Sequence, residues 1–425
     1  MSYRLKLRSE NVYHGGVFRE LEVGIEGERI TGVGEEIGPA DRVMDFGKDL
    51  VIPGGIDGHV HFRDPGETDK EDFLSGSRAA ARGGITTVVD MPNNDPPIKS
   101  VDLLNEKRQI AEEKSLVNFS LYAGIPEDLS ELSPMAKAGA VGFKHYMAQE
   151  NVNWQELSSR IDEVNGLLTV HAEDPDELEP EGQPRSPQEY LRSRPAKAEI
   201  YAVDKLLRDP PDRLHLAHVT LADTVNRLGG RATTEITPHH LILSRDRVDL
   251  SDFTSVTNPP IRKSGAVKRL QEFFLYREID ILVSDHAPHR RSEKETGDPE
   301  KASPGVPGVE TLLPLSLTFA RDNGRPLSLP VDALTEKPAE IFGFKRRGKL
   351  QEGYWADITV LKGSGTRMID GDNFFSKAKV TPFQNYEVSF WPVATFVNGE
   401  LVYQEGELVN EVSGKFLPGG ACREE

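Results

Sequence analysis

The sequence predicts an α/β protein: a (β/α)8 TIM barrel with a small β-sandwich domain built from both termini. Three observations predict this fold. The middle of the chain alternates strand-like apolar segments with helical segments over about 300 residues. Both ends instead contain short segments in which polar and apolar residues alternate. Finally, the first buried strand leads into His-x-His, whereas a doubly wound sheet more often has a glycine-rich phosphate loop there.

The two ends of the chain are predicted to form one small β domain. Alternating residues predict N-terminal strands at 3–7, 21–25 and 30–33. Near the other end, a strand is predicted at 356–361, followed by a hairpin of 393–397 and 400–403. Asn398-Gly399 between the hairpin strands is typical of a primed turn. We therefore expect residues 1–47 and 346–425 to build the β domain around a barrel of residues 48–345.

The predicted barrel begins with the apolar run Leu50-Val51-Ile52. A helix is expected at 70–82, where Gly83-Gly84 would end it, followed by a buried strand at 85–91. The later strands are predicted at 118–123, 141–146, 167–171, 214–219, 233–237 and 279–284. Residues 290–304 are polar and charged, which predicts an exposed loop.

Composition narrows the classes of partner. The chain has 425 residues and a net charge of −18, which argues against unaided binding to nucleic acid or to an anionic membrane surface. Its single cysteine, Cys422, allows no intrachain disulfide, which fits a reducing compartment. The N-terminus does not read as a signal peptide, and no apolar run approaches the length of a membrane span. We therefore expect a cytoplasmic protein with no nucleic-acid or membrane partner.

Chemically active side chains follow the predicted barrel strands one after another. His59 and His61 are two residues apart, so a strand would place both imidazoles on one face, where they suit zinc. Alone, this pair is a weak signal, and each later candidate taken singly could have a structural role. The later candidates at predicted strand ends are Lys144, His171, His218 and Asp285. Because barrel active sites lie at the carboxyl ends of the strands, the joint pattern predicts one cluster.

Four histidines and an aspartate can hold two divalent ions, but the ions need a bridge. A free lysine amine is a poor bridge, whereas a lysine carboxylated by carbon dioxide presents two oxygens and a negative charge. We therefore expect carboxylated Lys144 and a hydroxide to bridge two zinc ions. Metal binding lowers the pKa of water to ~7, which provides a nucleophile at neutral pH. Asp285 would take the proton of this nucleophile and return it to the leaving group.

These residues carry a resemblance to a known family. The chain resembles the cyclic amidohydrolases, and within them the dihydroorotase family, over nearly its whole length. The shared motifs are 59–66, 70–73, 84–87, 91–93, 142–144, 170–173, 218–219, 237–240, 258–260 and 284–289. The more discriminating motifs are Phe62-Arg63-Asp64-Pro65-Gly66, Met91-Pro92-Asn93 and Asp285-His286-Ala287-Pro288-His289, where hydantoinases and allantoinases usually differ.

The resemblance implies a role for each site residue. One zinc ion would be bound by His59, His61 and Asp285, and the other by His171 and His218, with carboxylated Lys144 between them. The substrate would be held by His61, Arg63, Asn93, Asn258 and His289, and by backbone groups of Val306, Pro307 and Gly308. Arg63 is the expected selective element because its guanidinium can grip a ring carboxylate with two hydrogen bonds. Asp285 is the expected catalytic residue.

The implied function is the reversible cyclisation of N-carbamoyl-L-aspartate to L-dihydroorotate in pyrimidine synthesis. One alternative is another cyclic-amide hydrolase, either a hydantoinase (dihydropyrimidinase) or an allantoinase, against which Arg63 and His289 argue. The other is a non-catalytic scaffold, but such relatives typically lack metal ligands and none is missing here. The expected partner is a small-molecule substrate. The resemblance leaves open a homo-oligomer and a complex with aspartate transcarbamoylase.

Three features stay open at the level of sequence. The chain has lysine as the predicted bridge, where some relatives have aspartate. The segment that follows, Met147-Ala148-Gln149-Glu150-Asn151, has no threonine, whereas many relatives carry one on a mobile loop there. The residue that would act as a lid is therefore not identified. Glu235 either supports the metal ligands from behind or is a satisfied buried carboxylate.

Overall fold

The computed structural model describes residues 2–178, 186–296, 298, 302–410 and 414–420. The N-terminal strands are β1 (Tyr3–His14), β2 (Val17–Glu26), β3 (Arg29–Gly34), β4 (Ala40–Asp45) and β5 (Leu50–Pro53). The strands of the middle region are β6 (Gly55–Val60), β7 (Ile85–Asp90), β8 (Asn118–Leu121), β9 (Ala123–Gly124), β10 (Phe143–Tyr146), β11 (Leu168–His171), β12 (Leu214–Leu216), β13 (Thr233–Ile236) and β14 (Ile281–Leu282). The C-terminal strands are β15 (Ile358–Leu361), β16 (Arg367–Met368), β17 (Glu387–Val388), β18 (Pro392–Val397), β19 (Glu400–Gln404) and β20 (Glu407–Leu408).

The helices lie mainly between the middle strands. They are α1 (Phe73–Arg82), α2 (Val101–Lys114), α3 (Leu132–Lys137), α4 (Trp154–Glu163), α5 (Pro187–Ser193), α6 (Ala196–Leu206), α7 (Ala222–Leu228), α8 (Pro238–Ile242), α9 (Ser264–Leu275), α10 (Arg291–Lys294), α11 (Leu312–Asp322), α12 (Ser328–Leu334) and α13 (Glu336–Phe342). Short 3-10 helices occur at Leu129–Glu131, Pro175–Glu177 and Gly371–Asn373. Among the described residues, no helix is both long enough and apolar enough to cross a membrane.

The middle strands form a closed parallel barrel. Strands β6 to β8 pair in sequence order, as do β9 to β14. Only Tyr122 separates β8 from β9, and a parallel bridge between Val60 and His286 closes the ring. Every residue of β6, β7 and β8 is buried, as expected for parallel strands covered on both faces. The predicted (β/α)8 barrel is confirmed.

Strands from both ends of the chain share a second sheet. Its order is β20-β19-β18-β15-β5-β1-β2-β3, with β4 paired to β1. One apolar core joins side chains from both ends, including Leu7, Val23, Val360 and Phe396. The predicted hairpin is present between β18 and β19, where Asn398 and Gly399 both have positive φ, as a type I′ turn requires. The exact domain boundaries stay a prediction.

Local signals explain where the first barrel helix begins and ends. Asp72 caps α1 by accepting a hydrogen bond from the backbone N–H of Ser75, and the Ser75 side chain completes a capping box. The helix therefore begins at Phe73 rather than at residue 70. Gly83 ends it, and Gly84 with φ +78° turns the chain into β7. Thr359 and Thr395 of the terminal sheet each donate a hydrogen bond of 2.7 Å to carbonyl oxygens here, those of Gly84 and Ala81.

Several strands are shorter than the sequence predicts. The segments predicted at 214–219 and 279–284 are regular strands only over 214–216 and 281–282. His218 and Asp285 just beyond them have φ values of +34° and +46°, which an extended strand cannot accommodate. The exposed loop predicted at 290–304 also differs, because it contains α10 and a buried Lys294. Cys422 lies outside the described residues.

Candidate metal centre

Three predicted ligands converge at the carboxyl end of the barrel. Asp285 Oδ1 lies 3.4 Å from His59 Nε2 and 3.2 Å from His61 Nε2. One ligand atom from each residue lies within 4.8 Å of the other two, and all three residues are buried. Around a tetrahedral zinc ion with bonds of 2.0–2.1 Å, ligand atoms are about 3.3 Å apart. The spacing of this group therefore fits a bound metal ion.

Two further histidines lie beside this group. His171 Nδ1 is 3.1 Å from His218 Nε2, and the ring centroids are 4.7 Å apart. The ring of His218 is 5.3 Å from that of His59, centroid to centroid. The second pair therefore borders the first group, and its nitrogen spacing is also close to that of two ligands of one metal ion.

Polar partners determine which ring nitrogens are free to bind metal. His59 Nδ1 donates to Glu235 Oε1 at 2.5 Å, so its Nε2 carries the lone pair toward Asp285. His61 Nδ1 lies 2.6 Å from Asn93 Oδ1 and donates in the same way. Oxygen partners of this kind fix the tautomer and the orientation of metal-binding histidines. In both cases the nitrogen left free points into the cluster.

The second pair has a comparable support. His171 Nε2 donates to Glu173 Oε2 at 2.8 Å, which leaves Nδ1 to face His218. Arg194 in turn donates to Glu173 through Nε and Nη2, at 3.0 and 2.6 Å from Oε2. Glu173 and Arg194 thus hold the ring of His171 from the side away from the cluster.

Glu235 contacts three histidines at once. Besides His59, it accepts hydrogen bonds from His215 Nε2 at 3.1 Å and from the backbone N–H of His218 at 3.0 Å. Burial alone would raise the pKa of this carboxyl group, but the surrounding histidines and their hydrogen bonds lower it. The sequence left two roles open for Glu235, and its direct contact with His59 favours support of the metal ligands.

Lys144 is fully buried in β10, next to the cluster. Its Nζ has no hydrogen-bond partner among the described residues and lies 5.5 Å from the centre of the Tyr146 ring. Burial lowers the pKa of this amine to about 8, although the charges of Glu235 and Asp285 oppose the shift. An orphaned buried amine is costly, so the position favours chemical modification of the lysine or binding of a ligand.

The pKa shifts of His61, His218 and Asp285 favour the protonation states that metal binding requires. Burial lowers the pKa of His61 to about 4, and that of His218 also lies well below its usual value. Burial would raise the pKa of Asp285, but His59, His61 and His218 lower it well below the usual range. Neutral imidazoles and an ionised carboxylate are the forms that bind a metal ion.

The backbone is strained at three site residues. Arg63, His218 and Asp285 have φ values of +58°, +34° and +46°. Such conformations are costly for residues other than glycine and persist only where surrounding contacts hold them. These conformations redirect the chain beyond the ends of three barrel strands, where His218 and Asp285 lie in the cluster and Arg63 lines the cavity above it.

A cavity of about 220 Å³ opens above the cluster. It is lined by His59, His61, Arg63, Asn93, Tyr146, Ala148, Gln149, His171, Arg194, His218, Asn258, Asp285, Ala287, His289, Ser303, Pro304 and Gly305. The guanidinium of Arg63 is buried, and its Nη2 lies 3.4 Å from His289 Nε2. His289 Nε2 donates to the carbonyl oxygen of Pro304 at 2.9 Å, which leaves Nδ1 free. The cavity thus places a cation and several polar groups beside the metal ligands.

The structure brings most of the predicted site residues together. Val306 and Pro307 are not among the residues that line the cavity. The carbonyl oxygen of Val306 instead accepts from the backbone N–H of Ala287, at 3.0 Å. Their role in substrate binding stays a prediction.

Sequence reasoning missed several residues at this site. Tyr146 had a signal, because it follows Lys144 by two residues on one strand and therefore shares its face. Glu173 lies in the shared motif at 170–173, but no role was predicted for it. Gln149 lies in the segment where many relatives carry a mobile loop, but its own role was not predicted. Arg194 carried no local signal, since only the folded chain brings it to the cavity.

Comparisons with known proteins agree with this geometry. The chain is 34% identical to a dihydroorotase of Methanosarcina acetivorans, covering 99% of this chain and 97% of that protein. It is 36% identical to a dihydroorotase of Methanothermobacter thermautotrophicus, over 94% of each chain. It is also 32% identical to an allantoinase of Streptomyces avermitilis, covering 97% and 98%. Among solved structures, an L-hydantoinase (dihydropyrimidinase) of Arthrobacter aurescens is similar, with a TM-score of 0.91, 29% identity and coverage of 98% and 100%.

The family match covers four of the six predicted metal ligands. The model of the amidohydrolase family matches residues 50–162 and 280–402, together more than half of the sequence. These segments contain His59, His61, Lys144 and Asp285. The matched sequence, the barrel and the buried ligand group agree, and the chain therefore belongs to the amidohydrolase family.

Proposed function

We propose that this chain is a dihydroorotase, which reversibly cyclises N-carbamoyl-L-aspartate to L-dihydroorotate in pyrimidine synthesis. The observation that carries the proposal is Arg63, a buried guanidinium in the wall of the cavity above the metal ligands. Among the described residues, no carboxylate forms an ion pair with it. A buried arginine without an anionic partner suits a substrate that brings its own carboxylate, as both dihydroorotate and N-carbamoyl-L-aspartate do.

The proposed cofactor is a pair of zinc ions. His59, His61 and Asp285 would hold one ion, His171 and His218 the other, and carboxylated Lys144 and a hydroxide would lie between them. When bound, the zinc ions lower the pKa of the nucleophilic water to ~7 and polarise the ring carbonyl. Spacings of 3.1 to 3.4 Å between ligand atoms support this assignment.

The side chains of the cavity divide the binding of substrate between them. Arg63 can grip the carboxylate with two parallel N–H donors. Asn93 gives its carbonyl oxygen to His61, so its NH₂ group is free to donate to the same carboxylate. Asn258 is placed similarly, because its Oδ1 accepts from the Tyr190 hydroxyl at 2.8 Å. His289 keeps a free Nδ1 that can accept a hydrogen bond from an N–H group of the ring.

Asp285 is the residue that moves the proton. In the hydrolytic direction, the hydroxide oxygen bonds to the ring carbonyl carbon and Asp285 takes the proton of that hydroxide. The carbon–nitrogen bond then breaks, and Asp285 passes the same proton to the departing nitrogen. In the synthetic direction, Asp285 takes a proton from the ureido nitrogen as that nitrogen bonds to the carboxylate carbon. Asp285 then passes this proton to the carboxylate oxygen that leaves as hydroxide when its carbon–oxygen bond breaks. The low pKa of Asp285 means that this carboxylate begins the hydrolytic cycle ionised.

The alternative functions fit Arg63 and the metal-ligand group less well. Allantoinase and hydantoinase activities act on rings without a carboxylate and give Arg63 no partner. A non-catalytic scaffold does not require a metal-ligand group at the floor of a cavity. A cytoplasmic location, a homo-oligomer and association with aspartate transcarbamoylase stay predictions.

The decisive experiment compares three rings under one set of conditions. The purified protein, reconstituted with zinc, is assayed with L-dihydroorotate, hydantoin and allantoin. We expect kcat/KM for dihydroorotate to exceed the other two values by at least about 100-fold, because of the charge pairing with Arg63. A higher value for hydantoin or allantoin would contradict the proposal, and no turnover of any ring would favour the scaffold alternative.

A further inference from the structure

One polar group in the cavity has no part in the proposed mechanism. Tyr146 is the last residue of β10, and its ring lines the cavity that Arg63, Asp285 and His289 share. Its ring centroid lies 6.3 Å from that of His171 and 5.5 Å from Lys144 Nζ. The phenol ring thus lies near His171 and Lys144, in a cavity that Arg63 also lines.

The hydroxyl group of Tyr146 is buried and has no hydrogen-bond partner among the described residues. Two other tyrosines do have partners: the hydroxyls of the buried Tyr122 and the half-buried Tyr190 lie 2.8 Å from Thr169 Oγ1 and Asn258 Oδ1. Buried phenol groups normally find such a partner because an unpaired one destabilises the fold. A group from a bound ligand would satisfy the Tyr146 hydroxyl.

The residues around the Tyr146 hydroxyl indicate which kind of ligand group would bind to it. Within the described part of the chain, three other buried atoms of cavity-lining residues also lack partners, namely Arg63 Nε, His218 Nδ1 and His289 Nδ1. Arg63 and Tyr146 line the same cavity, and no hydrogen bond joins them. A neutral phenol is a donor, and a donor beside a guanidinium favours a shared anionic acceptor over a neutral one.

We propose that the Tyr146 hydroxyl donates a hydrogen bond to the substrate carboxylate that Arg63 also binds. The inference rests on the proposed function and deepens it, because it makes Tyr146 a determinant of specificity for carboxylated rings. The phenol recognises the carboxylate in the ground state and in the transition state alike. Its loss therefore weakens substrate binding and leaves the chemical step unchanged.

Replacement of Tyr146 by phenylalanine separates this role from a structural one. We expect Tyr146→Phe to raise KM for L-dihydroorotate and for N-carbamoyl-L-aspartate about tenfold or more, since a hydrogen bond to a charged acceptor is lost. The value of kcat should stay within about twofold. The thermal midpoint should stay the same or rise, because the variant removes a buried hydroxyl that has no partner in the fold.

Tyr122→Phe is the matched control. The hydroxyl of Tyr122 is buried but bonded to Thr169, so this variant should lower the thermal midpoint and leave KM unchanged. An unchanged KM in Tyr146→Phe, a fall in kcat alone or a lowered thermal midpoint would each overturn the inference while the wild type still converts dihydroorotate. A wild type without that activity would instead overturn the proposed function and the inference with it.

Discussion

The clustered histidines show how single side chains are prepared for a metal ion. His59, His61 and His171 each donate one ring N–H to an oxygen of Glu235, Asn93 or Glu173. The other nitrogen of each ring then faces the cluster as a lone pair. Burial keeps the rings of His61 and His171 neutral by lowering their pKa, so little reorganisation is needed when a cation binds.

Lys144 tests the proposed bridge between two metal ions. We expect the wild-type protein, purified without chelator, to contain about two zinc ions per chain. Lys144→Ala should lose the bridge and nearly all activity. Short carboxylic acids should restore part of the activity of this variant. Lys144→Arg should fail as well, because a guanidinium stays charged and cannot be carboxylated. Elemental analysis measures the zinc content, and steady-state turnover measures the activity of each variant. Wild-type activity with two metal ions in Lys144→Arg would show that another group forms the bridge.

Asp285 tests the proposed proton transfer. Asp285→Asn should lower kcat by at least ~10², since the amide cannot accept and return the proton. Substrate binding, measured by titration of the zinc-loaded variant, should persist because Arg63 and Asn93 are intact. Metal content must be measured alongside, because Asp285 is also a proposed ligand. Near-normal kcat in this variant would remove Asp285 from the role of proton carrier.

Arg63 tests the basis of substrate choice. Arg63→Ala should cost on the order of 2–5 kcal/mol in kcat/KM for dihydroorotate, because a desolvated carboxylate loses its charge partner. The loss should be much smaller for hydantoin, which has no carboxylate. Steady-state kinetics on both rings provide the comparison. Equal losses would show that Arg63 supports the fold and does not select the substrate.

Helix α2 contributes a buried cation that connects two loops of the site. Lys107 Nζ lies 2.5 Å from Asp90 Oδ2 and donates to the carbonyl oxygen of Met91 at 2.6 Å and to Asn94 Oδ1 at 2.7 Å. Asp90 Oδ1 in turn accepts from the backbone N–H of Phe62, the residue before Arg63, at 2.7 Å. One helix thus holds the loop that carries Arg63 and the loop that carries Asn93.

Removing this cation should destabilise the protein strongly. Lys107→Met leaves the carboxylate of Asp90 buried without its partner, which typically costs about 3–5 kcal/mol. The free energy of unfolding in urea measures the loss. Glu112→Gln is a control on the same helix, because its exposed pair with Arg108 contributes less than about 1 kcal/mol. Similar losses of unfolding free energy in the two variants would show that the buried pair of Lys107 and Asp90 stabilises the fold no more than an exposed pair.

The sheet that both termini share makes the barrel dependent on the end of the chain. Strand β15 pairs with β5, which leads directly into the first barrel strand, and it separates β5 from the hairpin of β18 and β19. The hydrogen bonds of Thr359 and Thr395 fasten the same sheet to the end of α1. The sheet therefore supports the segment from which His59 and His61 project.

Truncation tests this dependence. A chain of residues 1–345 should fail to give a soluble, cooperatively unfolding protein, because it exposes the edge of β5 and an apolar core face. Solubility and thermal unfolding by circular dichroism measure the result. Co-expression with residues 346–425 as a separate chain should restore a soluble complex, since the contacts between the two parts are non-covalent. A truncated chain with a wild-type melting transition would contradict the prediction.

The sequence alone determined the class of fold and which histidine and aspartate side chains cluster at one end of the barrel. Side chains two residues apart on a strand point to the same face, so His59 and His61 could be placed together from the sequence. The rule that barrel sites lie at strand carboxyl ends then joined His171, His218 and Asp285 to them. The hairpin at Asn398-Gly399 was equally local, because its turn depends only on which residues tolerate positive φ.

Only the tertiary structure decided which side chains support the ligands and line the cavity. Glu235 forms a hydrogen bond with His59, which is 176 residues away in the sequence. The periodic pattern of residues within a strand or helix cannot predict such a contact. The same holds for Arg194 behind Glu173 and for Arg63 beside His289, 226 residues away. The missing partner of the Tyr146 hydroxyl is likewise visible only after every neighbour is placed. Local propensity acts over a few residues, whereas hydrogen-bond satisfaction and burial depend on how the closed barrel brings distant segments together.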